Sequence, residues 1–264
     1  MRIALGVAYS GTRYEGWQSQ LSGNTVQDKL EAALAKFAGC SMRVMCAGRT
    51  DAGVHALMQV VHFDTALKRD ASSWLRGCNA FLPADIAVQW VSEVPDEFHC
   101  RASAIARRYA YVVLESAVRP SVEAGRVGWV YKPLDGAAMQ RAVTHLTGKH
   151  DFTSFRASQC QAKSPIKTIR QIEVSHRGKT GARYWRFEFE ADAFLHHMIR
   201  NIMGCLVAIG QQKHTSQWMS EVLEARRRDA AAATFSPDGL YFLGPVYEAR
   251  YQLPLRTAAY DWLP

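Results

Sequence analysis

Between Ile3 and Val94 the chain alternates strand-like with helix-like runs, and after Pro95 and Phe98 the alternation starts again. This double pattern constrains the fold more than any other feature. The first round reads as a strand at Ile3–Tyr9, a helix from Thr25 to Phe37, strands near 42–47 and 59–64, a helix around Ala71–Asn79 and a strand at Ile86–Val94. Thr25 is placed as N-cap with Asp28 three residues on, and Leu30, Ala33, Leu34 and Phe37 share one helix face. The run Gln59–Phe63 alternates as a half-buried strand does. The second round gives a strand at Tyr109–Leu114, a helix at Gly136–Leu146 and strands at Thr168–Val174 and Arg183–Glu190. A helix at Phe194–Ile209, a charged helix near Ser216–Arg228 and a last strand at Pro245–Tyr251 follow. The regular crossover spacing of a parallel α/β fold is missing, so the class is α+β, divided into residues 1–104 and 105–264.

With 264 residues and 48% hydrophobic composition, the chain has enough apolar sequence for one large core or two smaller ones. Six cysteines, at 40, 46, 78, 100, 160 and 205, form no Cys-x-x-Cys pair, as expected of reduced thiols. No apolar run reaches the length of a membrane span, and the N-terminus enters a strand without a signal-peptide core, so the expected location is the cytoplasm. A net charge of +8 suits a polyanionic partner, nucleic acid above all.

Chemistry concentrates at Gly48-Arg49-Thr50-Asp51-Ala52-Gly53-Val54-His55. A carboxylate stands there between two glycines and beside an arginine, between two strand-like runs. Glycines at 48 and 53 permit positive φ or close approach to a ligand, and a neighbouring cation helps hold Asp51 ionised. An ordinary Asx turn has the same composition. Arg107-Arg108-Tyr109-Ala110-Tyr111 puts two tyrosines on one strand face beside two arginines, which suits base stacking and phosphate binding or, equally, an edge strand with solvated arginines. Arg200 lies on an otherwise apolar helix face and calls for an anionic partner or a snorkelling stem. Adjacent His196 and His197 diverge by about 100° on a helix and make a poor metal pair. Gly178-Lys179-Thr180 lacks the upstream glycine of a phosphate-binding loop, and no G-x-S-x-G elbow is present.

Several motifs in order carry a resemblance over nearly the whole chain: Gly16-Trp17-Gln18-x-Gln20 with Thr25-Val26-Gln27, Cys46 through His55, Phe98-His99-Cys100-Arg101, Ala106-Arg107-Arg108-Tyr109, Asp151 through Phe155, His197 through Asn201, and Gly239-Leu240-Tyr241. The chain resembles the tRNA pseudouridine synthase A family, which isomerises uridines at tRNA positions 38 to 40. The resemblance implies Asp51 as nucleophile, Tyr109 stacked on the target base, Arg200 paired with Asp51 and Leu240 lining the pocket, with Arg49, His55, Arg107 and Arg108 as further substrate contacts. It also implies two ferredoxin-like (RRM-like) halves forming an extended, mixed, mainly antiparallel sheet, with helices on one face and a central basic cleft. The expected assembly is a homodimer that binds the tRNA anticodon arm without cofactor or metal. A non-catalytic RNA-binding or chaperone protein and an Asp-dependent nucleoside hydrolase are the rival readings. Ser10 departs from the family's usual Asp, and a local capping change with activity retained is expected from its remoteness in sequence from Asp51.

Overall fold

The computed structural model describes residues 1–254. Its elements run β1 (Arg2–Tyr9), α1 (Val26–Ala38), β2 (Met45–Cys46), β3 (His55–Asp64), α2 (Ala71–Phe81), β4 (Ile86–Val94), β5 (Ala104–Ser116), β6 (Gly128–Val130), α3 (Gly136–Thr144), β7 (Gly148–Asp151), β8 (Ile166–Lys179), β9 (Ala182–Ala191), α4 (Met198–Gly210), α5 (Trp218–Ala225) and β10 (Leu240–Tyr247), with short 3₁₀ turns between. The class is α+β, with mixed, mostly antiparallel strand pairing. The described residues pack as two compact units, Met1–Arg107 with residues 241–254, and Arg108–Leu240. A division at 104/105 instead assigns the last strand to the second half.

In the first unit the strands lie in the order β4-β1-β3-β10, with β2 also on β3. β1 pairs antiparallel with β3 and β4, while β10 joins β3 in parallel through Tyr241 beside His55. Thr25 caps α1 by accepting the Asp28 N–H at 3.2 Å and donating its hydroxyl to the Asp28 carboxylate at 2.6 Å. Phe37 of α1 meets Trp74 of α2 edge to face at 5.2 Å, and the Phe37 ring crowds Gly77, where a Cβ would lie 2.1 Å from it.

β3 departs from the half-buried strand its alternation predicts. It starts at His55, and Gln59 and His62 are both buried. Each polar side chain has a backbone partner that accounts for its burial: Gln59 faces the peptide of Gly48, and His62 accepts from the Cys100 N–H at 3.4 Å. The run expected as a strand over 42–47 is a strand only at Met45–Cys46.

The second unit orders its strands β5-β9-β8-β7, with β6 parallel to β5. Trp185, Phe187 and Phe189 of β9 are all buried, as their alternation predicts. The buried Glu115 carboxylate accepts from Trp185 Nε1 at 2.8 Å and from the N–H groups of Gly181 (2.8 Å) and Leu134 (3.1 Å). Burial pushes its pKa up, but these donors outweigh burial and the net displacement is downward. Gly178-Lys179-Thr180 ends the β8–β9 hairpin, with Gly181 at φ +82° in the turn.

Candidate active site

Asp51 sits half-buried in the loop between β2 and β3. Its carbonyl accepts the Val54 N–H at 3.1 Å, closing a turn in which Gly53 takes φ +80°. Gly48 has no positive φ. Its N–H donates to Gln59 Oε1 at 3.3 Å, and its carbonyl accepts from Gln59 Nε2. One residue before Asp51, the buried Thr50 shares a 2.8 Å hydroxyl hydrogen bond with Tyr9 and accepts the Trp17 N–H at its carbonyl at 3.0 Å.

The segment 11–17 forms the bed of this loop. The Gly53 N–H donates to the Tyr14 carbonyl at 3.4 Å, and the Gly11 N–H donates to His55 Nδ1 at 3.1 Å. A Cβ on Gly11 would stand 2.0 Å from the Val54 carbonyl oxygen, and one on Gly16, at φ +91°, would stand 2.7 Å from that of Thr50. The carbonyls of Gly16 and Trp17 in turn accept the Val26 and Gln27 N–H groups at the start of α1. The Gly16-Trp17-Gln18 motif therefore joins a helix start to the Asp51 loop. Ser10, which makes no side-chain cap, adjoins this bed, so its distance from Asp51 in sequence does not carry over to space.

His55, expected as a substrate contact, is 3% exposed, and its ring stacks on Tyr241 at 4.6 Å. Arg49 is exposed beside the loop. Arg107 turns its guanidinium back to the carbonyls of Ala104 (3.1 Å) and Arg101 (2.6 Å).

In the second unit Tyr109 is 8% exposed and meets Phe194 edge to face at 5.1 Å. Tyr111 does not join it as a stacking surface: it is fully buried, its hydroxyl donates to the Ser236 carbonyl and its ring packs on Phe235. Arg108 is exposed but pairs with Glu188 at 3.2 Å and Glu190 at 3.9 Å. α4 begins at Met198, four residues later than expected, because His197 takes φ +61° and caps it. That bend, which ordinary helical geometry would not produce, brings the His196 and His197 rings to 4.0 Å.

Half-buried Arg200 donates from Nε to the Phe235 carbonyl at 2.9 Å, and the Phe235 N–H returns to the Arg200 carbonyl at 3.1 Å. Leu240, 5% exposed, opens β10 five residues before the expected strand. The preceding Gly239 packs so closely on β5 and β6 that a Cβ would lie 2.2 Å from the Val112 carbonyl oxygen.

His62, His99 and Cys100 bring three potential ligand atoms within 4.8 Å of one another. Their hydrogen bonds argue against a metal. His62 Nδ1 accepts from Cys100, and His99 Nδ1 accepts from Arg101 (3.2 Å) and Ala102 (3.3 Å), which leaves each neutral ring with its proton on Nε2. Burial also raises the Cys100 thiol to about 12.

A family model described as tRNA pseudouridine synthase matches residues 6–101 and 142–248, which take in the Asp51 loop, Arg200 and Leu240. The chain belongs to that family. Over 264 residues, covering all of both chains, it is 77% identical to tRNA pseudouridine synthase A of Polaromonas sp. and likewise to that of Polaromonas naphthalenivorans. It is 66% identical to the protein of the same name from Paracidovorax citrulli, again across both full lengths. The chain is thus a tRNA pseudouridine synthase, an isomerase, with tRNA as its substrate. No helix among the described residues is long and apolar enough to cross a membrane. The sequence signals single out Asp51 and Arg200 as candidates and pass over Gln59, Tyr9 and Gly11, whose contacts support the Asp51 loop. Tyr9 and Gly11 lie far upstream of Asp51 in sequence, and Gln59 sits in a strand whose alternation looks generic.

Proposed function

We propose that this synthase converts uridines at positions 38, 39 and 40 of the tRNA anticodon stem-loop, with Asp51 as nucleophile and without cofactor or metal. The reaction breaks the N1–C1′ bond, turns the uracil and joins C5 to C1′. The C5 proton leaves and N1 gains one, so the product is an isomer of the substrate. Reaction at C1′ or at the base, and deprotonation of a ribosyl intermediate, all begin from an ionised carboxylate. Arg200 pairs with Asp51 and favours that anion against burial.

The target nucleotide leaves the stack at a cost of about a few kcal/mol, which stacking on Tyr109 offsets. Tyr109 also takes the C5 proton, and Leu240 walls the pocket that keeps the detached uracil in place. Arg49, Arg107 and Arg108 bind phosphates. Arg107 and Arg108 already have partners, so they give up carbonyl and carboxylate contacts to do so. His55 supports the loop from beneath. Each half is ferredoxin-like, and two copies form a homodimer in the cytoplasm.

The observation that carries this reading is the fixed seat of Asp51. Its turn depends on Gly53 at φ +80°, and Gly11 and Gly16 leave no room for a side chain beneath it. A carboxylate held this way needs little reorganisation when the substrate arrives. The reading is tested by mapping pseudouridine in unmodified tRNA treated with the protein. Pseudouridine confined to 38–40, with no free uracil, is the expected result; stoichiometric release of uracil would show a hydrolase instead.

A further inference from the structure

Arg200 and Leu240 border one segment, residues 228–240, and that segment is pinned by a group outside the catalytic set. The Arg228 guanidinium donates to the carbonyls of Ala231 (3.3 Å) and Ala232 (2.9 Å), to Asn201 Oδ1 (3.1 Å) and to Thr234 Oγ1 (3.1 Å). Thr234 Oγ1 donates to the same Asn201 oxygen at 2.7 Å, and fully buried Asn201 donates from Nδ2 to the Phe155 carbonyl at 2.8 Å. The next residue, Phe235, supplies the carbonyl that holds Arg200 Nε at 2.9 Å. Beyond it, the Ser236 carbonyl takes the Tyr111 hydroxyl. The segment also lies flat on α4: a Cβ on Gly204 would stand 2.2 Å from the Ala233 carbonyl oxygen, and the Ala232 N–H points to Cys205 Sγ at 3.3 Å.

We infer that Arg228 is a positioning residue for catalysis, which orients the Arg200 guanidinium by fixing the 231–235 segment whose carbonyl that guanidinium uses. The inference rests on the role assigned to Arg200 above. A planar guanidinium satisfies four acceptors at fixed angles, and an ammonium on a flexible stem does not reproduce them. Small misplacements of a catalytic group cost up to about a hundredfold in rate, so the effect belongs in kcat rather than in tRNA binding.

The test compares wild-type, Arg228→Gln, Arg228→Lys, Thr234→Val and Arg200→Lys proteins, and the double variant Arg228→Gln/Arg200→Lys, on an anticodon stem-loop. Arg228→Gln is expected to lower kcat by about ten- to a hundredfold with KM within about twofold, and Arg228→Lys to restore little of it. Its loss and that of Arg200→Lys are expected to be non-additive, as for residues acting through one contact. Thr234→Val removes one link of the same network and provides the comparison if Arg228→Gln fails to fold; it should lower kcat several-fold with the melting temperature nearly kept. Unchanged kcat in folded Arg228→Gln, or in Thr234→Val should the former not fold, overturns the inference, as do fully additive losses. Arg200→Ala separates the two levels: an active Arg200→Ala removes the role of Arg200 itself, whereas an inactive one beside fully active Arg228→Gln removes only the inference.

Discussion

Gln59 grips the peptide of Gly48 with both ends of its carboxamide, Nε2 on the carbonyl and Oε1 on the N–H, three residues before Asp51. Gln59 is fully buried and Gly48 half-buried, so removing the carboxamide leaves the Gly48 peptide with little access to replacement partners. Gln59→Leu keeps much of the volume and removes both bonds. It is expected to cost about 3 kcal/mol in urea unfolding, from two unsatisfied backbone groups at about 1–3 kcal/mol each. Turnover of the folded fraction should fall as well.

Gly16 gives a sharper test of the loop's bed. Its φ of +91° disfavours any L side chain, and the methyl of Gly16→Ala would press on Thr50 and Asp51. The variant should lose at least about 1 kcal/mol of stability and far more activity than that loss explains. Circular dichroism melts alongside turnover measurements check both parts. A destabilised variant with full activity per folded molecule contradicts the close coupling of this turn to Asp51.

The strand and helix alternation was legible because it depends on local periodicity, and β4, α1 and the buried face of β9 follow it. Elements shaped by distant contacts were not. β3 is buried on both faces because Gln59 and His62 find backbone partners at Gly48 and Cys100, a saturation that alternation cannot reveal. α4 starts late because His197 adopts φ +61°. β10 starts early because Gly239 packs where no side chain fits. Asp51 was visible as a candidate, but the bed beneath it comes from residues 9–17 and 59, and their contacts with it are purely tertiary.

His62 sets a pH window for stability. Burial, aided by neighbouring His99 and Arg2, lowers its pKa to about 4 from an unfolded value of 6.5. Above 6.5 both states are neutral at this site. Below it the unfolded chain gains a proton that the folded chain refuses, so stability falls as the pH drops from 6.5 towards 4, by about 2 kcal/mol at pH 5. The carboxylates of Asp28 and Asp64, whose pKa values are lowered, contribute in a separate window, as the pH falls through the carboxylate range. Urea titrations at pH 7.5, 6 and 5 should show the loss in wild type and a shallower one in His62→Asn. Equal slopes in the two proteins contradict the assignment to His62.

Tyr109 is proposed to act twice, as stacking surface and as base. Tyr109→Phe keeps the ring and should lower the single-turnover rate by about a hundredfold with tRNA affinity nearly unchanged. Tyr109→Leu removes the ring and should also weaken tRNA binding by about 1–3 kcal/mol. A fully active Tyr109→Phe restricts the residue to stacking.

Asp51 is proposed to carry the chemistry. Asp51→Asn alters one atom of the side chain and removes its charge, leaving the backbone turn to Val54 in place. Pseudouridine should be mapped at 38–40 in unmodified tRNA incubated with wild-type and Asp51→Asn protein under single-turnover conditions, with tRNA affinity measured in parallel. The account predicts undiminished tRNA binding and no detectable pseudouridine from the variant; conversion at the wild-type rate by Asp51→Asn would contradict it.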